Sequence, residues 1–84
     1  MDSRLIGKRI KLLLIIKNIK RSELAEKLGI SYNTCTKEIN GQREFCINEI
    51  IKIIEIFNID IELSANIFFN DNFFIQLNEE KFLQ

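Results

Sequence analysis

The sequence predicts an all-α domain of five short helices. Apolar residues recur at three- and four-residue spacing along most of the chain, the signature of amphipathic helices. There is no proline and there are only three glycines, which leaves little material for long turn-rich loops. Within three residues, Gly29-Ile30-Ser31 closes one short helical pattern and opens the next. At 84 residues and 46% hydrophobic content the chain makes one domain, near the lower end of sizes that fold on a hydrophobic core alone. No linker or second domain is expected.

The first helix is expected over about residues 3–18. Ile6, Ile10, Leu13 and Leu14 form its core-facing stripe, with Arg4, Lys8, Arg9 and Lys11 around it. Leu12, Ile15, Ile16 and Ile19 make a second apolar stripe, which must be covered by the C-terminal tail or by another subunit. In the second helix Leu24, Ala25 and Leu28 share a face, and the small Ala25 allows a close crossing. Gly29 takes the left-handed conformation that ends it, and Ser31 offers a hydroxyl to the free N–H groups of the next helix. That third helix, residues 32–39, turns Cys35 and Ile39 inward and leaves Tyr32, Asn33, Thr36 and Lys37 to project outward. Residues 21–40 thus have the layout of a helix-turn-helix.

Asn40-Gly41-Gln42-Arg43 ends the third helix, and Phe45 anchors the approach to the fourth. Residues 47–57 present Ile50, Ile53, Ile54 and Phe57 inward, with Ile51 and Ile56 nearer the outer side. Cys46 and Glu49 occupy the two ends of a capping box, although a thiol caps poorly. Asp60 is the N-cap of a fifth helix through Leu63, Ile67 and Phe68. After Asn70-Asp71-Asn72 comes a short apolar tail, FFIQLNEEKFLQ, whose period of two favours a strand over a competing helix. The division expected is therefore residues 1–69 as the domain and 70–84 as a tail used for packing or dimerisation.

Charge separates along the chain. Residues 1–43 hold ten Lys or Arg against four Asp or Glu, a net of +6, and residues 44–84 hold two against eight, a net of −6. A basic half joined to an acidic half steers phosphate to one side of a small protein. Tyr32, Asn33, Thr36 and Lys37 carry hydrogen-bonding groups suited to base edges in a major groove, where a solvated helix would more often show Glu and Lys. Cys35 and Cys46 have no metal-site spacing and no histidine to help them, so no metal or cofactor is expected. Cys35 reads as a small core residue and a reducing, cytoplasmic setting follows. The apolar run Leu12–Ile16 is too short to span a membrane. Nothing here resembles a catalytic site: histidine is missing, as is any phosphate-cradling glycine loop, and Glu23 and Glu26 belong to a solvated face.

IGKRIKLLL, SELAEKLGIS, KEINGQREF and NEIIKIIEIFNI, followed by IFF, together resemble the lambda-repressor/Cro-like (Xre-type) helix-turn-helix family over about residues 4–69. The variant resembles small phage or prophage regulators of low-GC bacteria. The resemblance implies a compact five-helix lambda-repressor-like fold, the third helix in the major groove, and a homodimer on a palindromic operator in double-stranded DNA. By position, Tyr32, Asn33 and Lys37, with Thr36 nearby, would read bases. Arg21, Ser31, Asn40, Gln42 and Arg43 would lie near phosphates. Many members join the first and third helices by a buried Arg and Glu at what are here Leu14 and Ile39, so these two apolar side chains are expected to touch. Lys20 stands where a Ser or Thr cap is usual, which leaves Ser22 as another cap for the second helix. A DNA-binding regulator is the leading expectation. The alternative is a protein-interaction module on the same fold, an antitoxin or an inhibitor of another regulator, with a protein partner.

Overall fold

The structure, a computed structural model, describes residues 2–72. Over that span it has five helices and no strand: α1 (Ser3–Ile16), α2 (Arg21–Leu28), α3 (Tyr32–Ile39), α4 (Ile47–Phe57) and α5 (Ile61–Phe69). The tail expected as strand or helix, residues 73–84, lies outside the described residues.

Each helix begins on a local device. Asp2 Oδ1 accepts from the N–H groups of Arg4 and Leu5 at 3.0 and 3.3 Å and opens α1. Ser31 Oγ accepts from Thr34 N–H at 3.0 Å, and Asp60 Oδ1 from Leu63 N–H at 2.7 Å, as the sequence leads one to expect. Such a cap contributes about 1 kcal/mol. Glu49 Oε1 closes the capping box on Cys46 N–H at 2.9 Å. At α2 the Lys20 N–H reaches Glu23 Oε1 at 3.4 Å, so the glutamate and not Ser22 serves the helix start.

The first four helices share one ending. A residue with positive φ follows each: Asn18 (55°), Gly29 (71°), Gly41 (77°) and Asn58 (51°). The residue after it returns its N–H to a carbonyl five positions back, as Ile19 does to Leu14 and Ile30 to Ala25. This satisfies carbonyls that the helix end leaves open. Gly29 and Gly41 are legible in sequence; Asn18 and Asn58 do the same work less conspicuously, since Asn tolerates left-handed backbone better than other side chains.

One core joins the five elements. Ile10, Leu13, Leu24, Cys35, Ile53, Phe57, Ile67 and Phe68 are essentially free of solvent. α1 packs on α3 and α5, and α2 on α3 and α4. Leu14 and Ile39 are both buried in this core. α1 crosses the end of α3 at Gly7, where a Cβ would overlap the Ile39 carbonyl oxygen. Of the second α1 stripe, Ile16 and Ile19 pack partly against the core, while Ile15 stays exposed.

Two charged side chains depart from the sequence reading. Arg9, expected on the outer surface of α1, is only 3% exposed. Its Nη1 donates to the carbonyls of Asn66 and Ile67 at 3.0 and 2.9 Å, in the last turn of α5. A cation there also meets the negative end of the helix dipole. Burial pulls the Arg9 pKa down, and Asp71 and Asp2 oppose that. Glu38, whose charge argues against burial, is fully buried on the inner side of α3.

Candidate nucleic-acid interface

The tight turn at Gly29-Ile30-Ser31 sets α3 across α2 and gives it a free outer face. An eight-residue helix is about 12 Å long, so two turns at most enter a groove. Tyr32 is 53% exposed at the leading end, and Asn33 and Lys37 are exposed beside it. Thr36 is half-buried. Its Oγ1 accepts from Arg21 Nη1 at 3.3 Å, which ties the start of α2 to the outer face of α3. Thr36 keeps its own hydroxyl proton to donate.

Candidate phosphate residues surround this face. Arg21 is half-buried at the first position of α2, and Asn40, Gln42 and Arg43 are exposed after α3. Ser31 is exposed but committed: besides capping α3, its hydroxyl donates to Thr34 Oγ1 at 2.9 Å. Arg43 Nε stands 3.7 Å from Glu38 Oε2, with the Arg43 side chain 60% exposed.

The structure adds the cations of α1 to this set. Arg4, Lys8 and Lys11 of α1 line a groove with Ile39 and Asn40. Lys11 also borders a second groove, with Leu14, Asn18, Ile19 and Arg21 among its lining. Their spacing of four and three puts them on one helix face, a signal present in the sequence. A band of positive charge therefore runs beside α3 from Arg4 to Arg21. Basic residues from the first half of the chain meet on one side, and the acidic Glu38 within it is withdrawn into the interior.

Cys35 and Cys46 are both free thiols, the first buried and the second exposed. Burial, and next the Glu38 carboxyl, push the Cys35 thiol up, with Arg21 opposing, so it is an inert core group. Among the described residues no group of His, Cys, Asp or Glu could hold a metal ion. No helix among them is long and apolar enough to cross a membrane.

A short polar helix presented on a rigid support, with cations on both flanks, is the arrangement of a DNA reader. The model of the helix-turn-helix family matches residues 10–63, more than half of the chain, and the protein belongs to that family, in its Xre/lambda-repressor-like form. It is, at that level, a DNA-binding transcription regulator. No curated protein and no solved structure matches the chain.

Proposed function

We propose that the protein is a sequence-specific regulator of the phage or prophage repressor type, which binds a palindromic operator as a homodimer with α3 in the major groove. The observation that carries this reading is the polar outer face of α3 bordered by Arg21, Lys11 and Arg43. Tyr32, Asn33, Thr36 and Lys37 read bases in this scheme. Arg21, Ser31, Asn40, Gln42 and Arg43 meet phosphates, and residues 70–84 serve packing or the dimer. Phosphate contacts supply most of the affinity, which therefore falls steeply with salt.

Selection of random duplex DNA by the purified protein, at low and moderate salt, tests the proposal. An enriched palindrome with half-sites about one helical turn apart is the expected result. Binding without sequence preference at either salt would remove the operator from the account. Lys37→Ala should then cost on the order of 1–3 kcal/mol at one base pair and relax the preference there. A uniform loss over all sequences would instead make Lys37 a phosphate contact.

A second reading, an interaction module such as an antitoxin, draws support from the exposed Ile47, Ile51, Ile61 and Phe69. These are large apolar side chains carried by α4 and α5, whereas the basic band is carried by α1 and α2. The double variant Arg21→Ala, Lys37→Ala separates the two readings. DNA binding is expected to fail while any complex made through α4 and α5 survives; retention of DNA binding would count against the assigned interface.

A further inference from the structure

Behind the outer face of α3 lies a pair of buried carboxyl groups, of whose four oxygens capping accounts for one. Glu38 is 0% and Glu49 7% exposed, and they face each other where α3 meets the start of α4. Glu49 Oε1 is occupied by the Cys46 N–H. Its Oε2 and both oxygens of Glu38 have no donor. Two ionised carboxylates in that position would lose their hydration and repel each other. A single proton resolves both problems, because a protonated Glu38 donates its O–H to Glu49 Oε2.

The surrounding charges leave this solution in place. Arg43 is the nearest cation, but its Nε stands 3.7 Å from Glu38 Oε2 and its side chain is 60% exposed, so water screens it. From α1, Arg4 and Lys8 border Ile39 and Asn40; from α2, Arg21 is engaged by Thr36. On α3 itself the neighbouring groups are the buried Cys35 thiol and the exposed Lys37, and Cys46 stands at the start of α4.

We propose that Glu38 and Glu49 share one proton that latches α3 to α4 and leaves Arg43 available to phosphate, which makes Glu38 a positioning residue for operator binding. The proposal rests on the DNA-binding reading above. With the proton in place, α3 and α4 are joined by a buried hydrogen bond and Glu38 needs no counter-charge. When the proton leaves for solvent, Arg43 is, among the described residues, the cation nearest to a buried pair of negative charges. It is then drawn inward and away from DNA. Binding of DNA and retention of the proton therefore favour one another.

The sign follows from the two groups. Burial, then the hydrogen bond and charge of Glu49, push Glu38 up to about 8. Its contribution is complete below the ordinary carboxylate range and is lost as pH rises through about 8. Burial also pushes Glu49 up, but the Cys46 N–H, the bond from Glu38, the Cys46 thiol and Arg43 together hold it low. Glu49 is thus the member that fails in acid, as pH falls through its depressed value.

The test measures affinity for the selected duplex from pH 6 to 9 at constant ionic strength, in the wild type and in Glu38→Gln. The free proteins are followed in parallel by carbon NMR of the glutamate carboxyls. Glutamine keeps the shape and donates an N–H to Glu49 without a titrating charge. Wild-type affinity is expected to fall above pH 8, by at most about tenfold per pH unit for one proton, while Glu38→Gln holds its affinity. In the free protein the Glu38 carboxyl titrates well above the ordinary range, and Glu49→Gln moves it down. The same pH slope in wild type and Glu38→Gln, or an ordinary carboxylate titration for Glu38, would overturn the latch. If neither protein bound any duplex, the DNA-binding reading would fall and the role at the operator with it; the carboxyl titration would still decide whether the proton is shared.

Discussion

Gly7→Ala is expected to destabilise the domain by about 3 kcal/mol or more, the upper end of the range for overpacking. A local view gives the opposite sign, because alanine is the better helix former by about 1 kcal/mol. The crossing of α1 over α3 decides the matter. The new Cβ would overlap the Ile39 carbonyl oxygen, and its next neighbour, the carbonyl carbon, would stand at 2.7 Å. A backbone carbonyl cannot move aside as a flexible side chain can, so the two helices must separate. For a domain whose total stability is of the order of 5–15 kcal/mol, that is a large fraction. Urea unfolding followed by circular dichroism reads the effect directly, and an unchanged midpoint would show that α1 slides over α3 without cost. Whatever protein stays folded should also bind DNA poorly, since α3 is the helix displaced.

Arg9→Met should lower stability by about 3 kcal/mol. Methionine keeps the apolar stem but removes the donor shared by the Asn66 and Ile67 carbonyls. Those oxygens then lie beside a buried apolar group at the end of α5 with no charge opposite the helix dipole. The measurement is again denaturant unfolding, with a lower midpoint and little change in slope if the native and unfolded ensembles keep their compactness. A midpoint equal to the wild type would mean that water replaces the guanidinium at no cost, and Arg9 would return to the role of a surface cation.

The five elements were legible because their punctuation is local. Ser31, Asp60 and Gly29 act on residues three to five positions away, and a reader of the chain meets cap and helix together. Arg9 was not legible in this way. Its partners lie 57 and 58 residues on, and nothing in the spacing around position 9 announces them. Glu38 is a different case. It sits three residues after Cys35 and one before Ile39, so helical periodicity does place it on the inner side; its charge argued against burial, and only the presence of Glu49 opposite makes the burial intelligible. For the interface, residue type marked Tyr32, Asn33 and Lys37 on α3. The contribution of Arg4, Lys8 and Lys11 depends on how α1 lies against α3, which is a tertiary fact.

The link from Arg9 to α5 also bears on the order in which the chain assembles. α2 packs on α3, which follows it directly, and on α4 one helix further on, so the loops these contacts close are shorter than the α1–α5 one. The clasp between α1 and α5 closes a loop of nearly sixty residues and carries a correspondingly larger entropic cost. The helix-turn-helix and α4 are thus the part suited to form early, with the two outer helices docking as the barrier is descended. Energy removed at Arg9 then emerges in the unfolding limb, as a shorter lifetime of the native state, and leaves the speed of refolding almost untouched.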